Sequence, residues 1–498
     1  KNMEALKKGY PQIDEKIKEI SIDKVMETGA EQAKNGMPVL IRISQNRKWY
    51  LNSRLDPDMA AALYADRYEI HSYGIYFIFG FSDGRCVRSL LKKCDDTNSL
   101  VICIPDMEEF TVACNTFDLS DILEDGRVVL YFADLLKNPE FLIQHMVDYT
   151  RMKLLEFCIL PGYDVIYHEL CESYMDSVVE VMRNITANRA THLTFNRSIP
   201  QGMLYNMKRM IQCSNVRQLQ ECLRGKDLQD IPAIIVSAGP SLDKNIQLLK
   251  EAQGKAVIIA VDASIRAVMQ AGVRPDFLCS IDPNSPERFF TDLNLKDIYW
   301  MCCQVSSPRL IKNYADHIFY YGTYGKKWNE ILEKELHYPF LQVATGGSVS
   351  TEAFMLALHL GFRKIVLIGQ DLAFTGGVSH TKGIGDALGD NEEYIKKRML
   401  MDVEGIDGTI LKTDFQMWFY KQWFEKVIRI NRESIQVIDA TEGGARIEGT
   451  EIMTLEDVIK THCTKEFDLY SMEQQIPPMF SVKQQEKLRK ELENMQEE

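Results

Sequence analysis

Two glycine turns, three strand-end aspartates and one histidine carry the chemistry of this chain. In S-A-G-P-S-L (237–242), Gly239 lets the backbone approach a ligand closely, Pro240 fixes the turn and Ser241 stands at a helix start. Free N–H groups and the helix dipole there favour an anion. T-G-G-S (345–348), with Thr345, Gly346, Gly347 and Ser348, is built the same way. Neither is a G-x-x-x-x-G-K-S/T phosphate loop or a G-x-G-x-x-G dinucleotide turn. Alone, each reads as an ordinary turn as readily as a site. Two at helix starts on one sheet edge point to a nucleotide or pyrophosphate-like ligand.

Asp262, Asp282 and Asp371 each follow an apolar run, and Gln370 precedes the last of them. Their plainest role is capping helices and turns. Gathered on one edge, Asp262 and Asp282 suit ribose or base hydroxyls, or a divalent cation such as Mg²⁺, because hard cations take oxygen ligands. His380 is the one histidine in these loops. Imidazole titrates near neutrality, so His380 is the first choice for a general base; its plainer reading is a loop side chain bonded to backbone. Asp371 is the second choice for base, or it orients His380 or binds a sugar. Arg446 and Lys382 are candidate anion partners, with Lys382 more plainly a solvated charge.

Such a gathering requires a sheet. From residue 231 apolar strands alternate with helices. Strands are expected at 233–236, 256–261, 277–281, 298–303, 317–321, 364–368 and 434–438. Helices are expected from the 237–242 turn to Gln253, and at 263–271, 348–360 and 413–430. Near-continuous apolar strands joined by helices mean a parallel sheet covered on both faces, which binds ligands beyond its carboxyl ends. Residues 37–132 read as a second α/β unit, with strands at 38–43, 75–79, 100–104 and 128–132. Its turn F-S-D-G (81–84) is Rossmann-like without the full fingerprint. Helical spacing fills 137–226, including Met146–Leu155 and Tyr174–Ile185. The aromatic stripe D-F-Q-M-W-F-Y-K-Q-W-F (414–424) reads as core rather than as a protein-contact surface, and 476–498 as a polar helix or frayed end. The expected division is an α/β and helical domain over 1–200, a central catalytic domain over 201–448 and a helical segment over 449–498.

Composition narrows the class. The 498 residues carry 58 Lys plus Arg against 71 Asp plus Glu, a net charge of −13, which disfavours a nucleic-acid partner. No apolar run approaches a membrane span, and the first residues lack the apolar core of a signal peptide. The 12 cysteines and 9 histidines form no zinc spacing, so reduced, buried thiols in a cytoplasmic protein are expected, and no metal site is assigned.

Five stretches together resemble a known family. I-V-S-A-G-P-S-L-D-K-N, I-A-V-D-A-S with G-V-R-P-D-F-L-C-S-I-D-P, T-G-G-S-V-S, L-I-G-Q-D-L-A-F-T-G-G-V-S-H-T and A-T-E-G-G-A-R-I-E-G-T occur in the order seen in the motility accessory factors. These are bacterial flagellin glycosyltransferases, and the likeness spans about 231–450. It implies a Rossmann-like central domain similar to bacterial sialyltransferases. It also implies inverting transfer of a nonulosonic acid (pseudaminic or legionaminic type) from a CMP-activated donor to Ser or Thr of flagellin. Such a donor carries its own negative charge, and a phosphate is a better leaving group than water, so no cofactor is required. Sialyltransferases carry G-N-G-P-S-L where this chain has Ser237–Leu242, so their Asn is Ala238 here. Their catalytic histidine falls nearer Thr409–Asp414 than His380. For such a donor the candidate binding residues are Ala238 (where the sialyltransferase side-chain contact is missing or supplied elsewhere), Gly239, Pro240, Ser241, Asp262, Asp282, Thr345, Gly346, Gly347, Ser348 and Gln370. The archaeal-type pterin pyrophosphokinases share the G-P-S-L turn and the aspartate strand ends, and would need ATP and Mg²⁺. A third reading is a non-catalytic flagellin chaperone or export partner.

Overall fold

The structure, a computed structural model, describes residues 1–497 except 22–24, 26, 134–142, 144, 145, 148, 149, 323–325 and 383–399. The chain folds as two compact units, Lys1–Thr194 and Phe195–Glu498.

In the first unit, β1 (Thr28–Gln32), β2 (Pro38–Ser44) and β3 (Arg47–Tyr50) form an antiparallel sheet. Gln45 and Asn46 both take positive φ, which matches the twist of the β2–β3 hairpin. A parallel sheet holds β4 (Ile75–Phe79), β5 (Ser99–Ile104), β6 (Val128–Phe132) and β7 (Leu155–Ile159) in the order β6-β5-β4-β7. The strands expected at 38–43, 75–79, 100–104 and 128–132 are present. Of the helix expected over Met146–Leu155, residues 148 and 149 lie outside the described residues, Met152–Leu154 is a single 3₁₀ turn and Leu155 opens β7. Tyr174–Ile185 lies inside the helix His168–Thr194.

The second unit is built on nine parallel strands. They are β8 (Ser214–Asn215), β9 (Pro232–Val236), β10 (Val257–Val261), β11 (Phe277–Ser280), β12 (Tyr299–Cys302), β13 (His317–Tyr320), β14 (Lys364–Ile368), β17 (Gln436–Asp439) and β18 (Glu451–Ile452). A separate antiparallel hairpin, β15 (Leu400–Glu404) and β16 (Ile410–Asp414), leads into the helix Phe415–Asn431. The order β18-β17-β14-β9-β10-β11-β12-β13-β8 reverses direction between β9 and β14. Both faces are covered: Ile234 and Val236 of β9 join one apolar core, Ala233 and Ile235 the other. That is why these strands read as unbroken apolar runs rather than alternating ones.

Three details depart from the sequence expectation. The stretch after the 237–242 turn is not one helix to Gln253 but three short turns, Leu242–Asn245, Ile246–Leu248 and Leu249–Ala252. There the Asn245 amide donates to Ala440 O (2.9 Å) and Glu442 Oε1 (3.0 Å), holding the chain against the loop after β17. The tail is not frayed: Leu488 and Leu492 of Val482–Glu497 are buried in the central core. The aromatic helix is core on one face only: Phe424 and Ile428 are buried and Tyr420, Trp423 and Val427 pack half-buried against the same core, while Phe415 is exposed. No described helix is long and apolar enough to cross a membrane.

Candidate functional site

At the reversal of strand order, the loops after β9, β14 and β17 lock together around one carboxylate. Asp371, only 2% exposed, accepts from the Ser241 hydroxyl (2.7 Å) and the Ser241 N–H (3.2 Å). Gly239 N–H donates to Gly369 O at 2.7 Å, and Ser237 Oγ to Gln370 Oε1 at 2.7 Å. From the third loop Thr441 Oγ1 accepts from Gln370 N–H (3.3 Å), and Ala445 N–H donates to Asp371 O (2.7 Å).

The glycines make this density attainable. A Cβ on Gly239 would overlap Asp371 Oδ2 and stand 2.5 Å from Gly369 O. One on Gly443 would overlap Ser241 Oγ, and one on Gly444 the Asp371 backbone. Leu372 and Glu442 take positive φ beside these contacts, a strained conformation for side chains of their size. Burial raises the Asp371 pKa, against the pull of the Ser241 hydrogen bonds. Asp439, at the end of β17, is pushed up to about 6 by burial, with the nearby Asp371 charge adding to it.

The first glycine turn therefore holds an anion from its own chain. The Ser241 amide and hydroxyl face Asp371, and the helix behind them is four residues long. Ala238 is buried, and its carbonyl accepts from Thr381 N–H at 2.8 Å. Pro240 lies at the rim, half-buried.

The second turn opens a full helix, Val349–Leu360, whose cap is reciprocal: Ser348 Oγ accepts Thr351 N–H, and Thr351 Oγ1 accepts Ser348 N–H, both at 3.3 Å. Thr351 Oγ1 also accepts Gly346 N–H, and Thr345 Oγ1 accepts Gly347 N–H, each at 3.1 Å. Gly346 is glycine because the Trp423 ring packs there, 2.5 Å from where a Cβ would stand, and Gly347 has φ +90°. Thr345 and Gly347 are exposed. Beneath them lies Glu352, 1% exposed, which sequence reading missed because a lone acid in an amphipathic helix looks like a solvent-facing residue. Burial pushes it up to about 7, opposed by the Tyr321 and Thr345 hydroxyls.

Asp262 and Asp282 form a neighbouring pair at the ends of β10 and β11. Asp262 Oδ1 accepts Ala263 N–H (2.9 Å) and Asp282 Oδ1 accepts Asn284 N–H (2.7 Å). Burial pushes Asp262 up to about 6, with Asp282 contributing, and burial also raises Asp282. Among the described residues no group of three or more His, Cys, Asp or Glu side chains is placed to hold a metal ion.

The segment carrying His380 crosses the first turn. Thr381 Oγ1 bonds Asp243, and Lys382 N–H donates to Asp243 Oδ2 at 3.3 Å. With the Thr381–Ala238 bond, this ties His380 to the rim of the 237–242 turn. His380 is half-buried, with Nδ1 2.7 Å from Ser379 Oγ. Lys382 is exposed. Arg446 faces Glu404 (3.7 Å) and Glu448 (3.9 Å), so its charge is already matched. Thr409–Asp414 belongs to the β15–β16 hairpin; there Thr413 Oγ1 donates to Leu372 O and Asp414 caps the aromatic helix.

The Rossmann-like turn of the first unit is filled from within. The order β6-β5-β4-β7 places the crevice between β4 and β7. There the Tyr163 ring lies against Gly80, 2.6 Å from where a Cβ would stand, and its hydroxyl accepts Ser82 N–H at 3.0 Å. The Tyr163 hydroxyl donates to Glu109, as does Tyr167 (2.7 Å), and Arg42 pairs with Asp106 at 2.8 Å. Burial pushes Glu109 up to about 7 from its ordinary 4.5. A carboxyl raised in the folded state binds its proton there more tightly than in the unfolded chain. Its contribution is undiminished below pH 4.5 and is lost as pH rises to about 7, a fall on the order of 3 kcal/mol. Denaturant unfolding between pH 5 and 8 should show that fall in the wild type and a flatter profile in Glu109→Gln; equal profiles would remove Glu109 as the cause.

A cavity of about 390 Å³, lined by residues 253–255, Arg274, Asp276 and 466–470, lies at the opposite edge of the central sheet, where β10 and β11 begin. The candidate site is instead the open rim at the strands' carboxyl ends.

Residues 201–377 match the family model described as 6-hydroxymethylpterin diphosphokinase MptE-like. Among curated proteins, none matches the chain. Among solved structures, the chain is similar to that of the MAf glycosyltransferase from Magnetospirillum magneticum AMB-1. The TM-score is 0.59 at 15% identity, over 98% of this chain and 77% of that one. At that identity the likeness is one of fold.

Proposed function

We propose that this chain is a glycosyltransferase that moves a nonulosonic acid from a CMP-activated donor to Ser or Thr hydroxyls of flagellin, with inversion. The observation that carries the reading is the convergence of the 237–242, 369–371 and 439–446 loops at the reversal of a nine-stranded parallel sheet. The fold shared with a MAf glycosyltransferase supports it.

In this reaction the acceptor oxygen attacks the anomeric carbon from the face opposite CMP. The carbon–phosphate-oxygen bond breaks and CMP leaves with its electron pair. The acceptor proton passes to a base, for which His380 at the rim is the nominee. Asp371 acts through Ser241, holding the first turn in shape. The exposed 345–348 turn, with Trp423 against Gly346 and Tyr420 against Gly347, and the Asp262–Asp282 pair would receive the donor's polar groups. No step is routed through a metal.

The test is transfer itself. Purified protein, CMP-nonulosonate and flagellin should yield CMP and mass-shifted flagellin, and His380→Ala should lower the rate about 100-fold or more, the usual contribution of a positioned base. Wild-type-like transfer by that variant removes His380 from the mechanism.

The family-model match over 201–377 favours a second reading, ATP-dependent diphosphoryl transfer to a hydroxymethylpterin. AMP release with the pterin, and no CMP release with the sugar donor, would decide for it. Flagellin binding with neither product would indicate a non-catalytic partner.

A further inference from the structure

Glu352 has an unusual situation for a helix residue. It lies in the first turns of Val349–Leu360, packed toward β9, β10 and β11, where its neighbours Ala353, Phe354 and Leu356 are apolar and buried. Among the described residues neither its Oε1 nor the hydroxyl of Tyr321, itself fully buried after β13, makes a well-formed hydrogen bond, although the two groups lie close enough to act on one another. A buried polar atom left unpaired costs on the order of 1–3 kcal/mol. An apolar residue would serve the helix better, so packing does not explain a glutamate here.

Three groups from different elements act on or are acted on by this carboxyl. Tyr321 comes from the end of β13 and Cys279 from β11; Thr345 comes from the exposed turn above. On the aromatic helix Lys421 pairs with Glu425 rather than with Glu352, and Trp423 stacks on Gly346. Among the described residues no cation acts on Glu352.

We propose that Glu352 is a positioning residue of the site: through Thr345 it sets the geometry of the 345–348 turn and ties that geometry to one proton. With the proton on, the carboxyl is neutral and can donate a hydrogen bond. With the proton off, a negative charge lies beneath the turn and must draw on the Thr345 and Tyr321 hydroxyls. The ionised form also repels an anion bound above. Burial places the changeover at about pH 7. The fluorescence arm below stands apart from the glycosyltransferase reading; the CMP arm rests on it.

Trp423 reports on the turn because its ring lies against Gly346. Its fluorescence, taken as the difference between wild type and Trp423→Phe, should show a transition centred near pH 7 that Glu352→Gln abolishes. In parallel, CMP affinity should weaken by about fivefold more from pH 6 to pH 8 in the wild type than in Glu352→Gln, within the limit of one linked proton. The nucleotide's own phosphate titrates in both proteins, so the difference between them is the readout. A flat Trp423 signal, or the same transition in Glu352→Gln, overturns the proposal. So does CMP affinity that changes equally in the two proteins, although the glycosyltransferase reading then survives. A Glu352-dependent transition without CMP binding upholds the proposal and counts against that reading. Should Glu352→Gln fail to fold, Thr345→Val carries the test: a lost or shifted transition supports the link, and an unchanged one overturns it.

Discussion

Gly239→Ala should destabilise the second unit by about 3 kcal/mol or more, the upper end of what overpacking costs. The added methyl would overlap Asp371 Oδ2 and press on Gly369 O at 2.5 Å. Neither neighbour can yield. Gly369 O is held by the Gly239 N–H at 2.7 Å, and Asp371 by two donations from Ser241. The same substitution at Gly202, inside the helix Ser198–Met210, should have the opposite sign. There a Cβ meets nothing nearer than Val305 O at 3.5 Å, and alanine gains about 0.5–1 kcal/mol over glycine in a helix. Urea unfolding of the two variants checks both. A Gly239→Ala protein as stable as the wild type would mean that the three loops do not pack as described.

Asp371→Ala should cost roughly 2–5 kcal/mol, because it leaves two buried donors, the Ser241 amide and hydroxyl, without an acceptor. Asp371→Asn keeps one acceptor oxygen and should cost about half as much. Ser241→Ala combined with Asp371→Ala should cost less than the sum of the two, since the paired groups vanish together. Under the proposed reaction, transfer should fall steeply in Asp371→Ala even at temperatures where the protein stays folded. Additive costs in the double variant would show that Ser241 and Asp371 do not act as a pair.

The central strands are legible in the sequence because a parallel sheet covered on both faces needs apolar side chains at every position, as A-I-I-V and K-I-V-L-I show. Polar or alternating strands are not. T-G-A-E-Q of β1 and I-L-K-T-D of β16 lack a continuous apolar signal, and L-E-F-C-I of β7 follows a stretch with helical spacing. The glycines were legible as places of close approach, but not what approaches. At Gly239 it is a carboxylate 132 residues along the chain, and at Gly346 an indole from the aromatic helix. The anion expected at the first turn is Asp371, and no local pattern pairs it with Ser241. Glu352 was illegible for a related reason: V-S-T-E-A-F-M-L reads as an amphipathic helix whose acid faces water, and only the β13 and β11 neighbours reveal that it does not.

The outermost strands of the large sheet, β8 and β18, are two residues long, and both residues of β18 are exposed. A nine-stranded sheet with long bare margins would present rows of unpaired amides and carbonyls on which another molecule's strand could template itself. Here each margin of this sheet offers only two ladder positions, too few to template such growth.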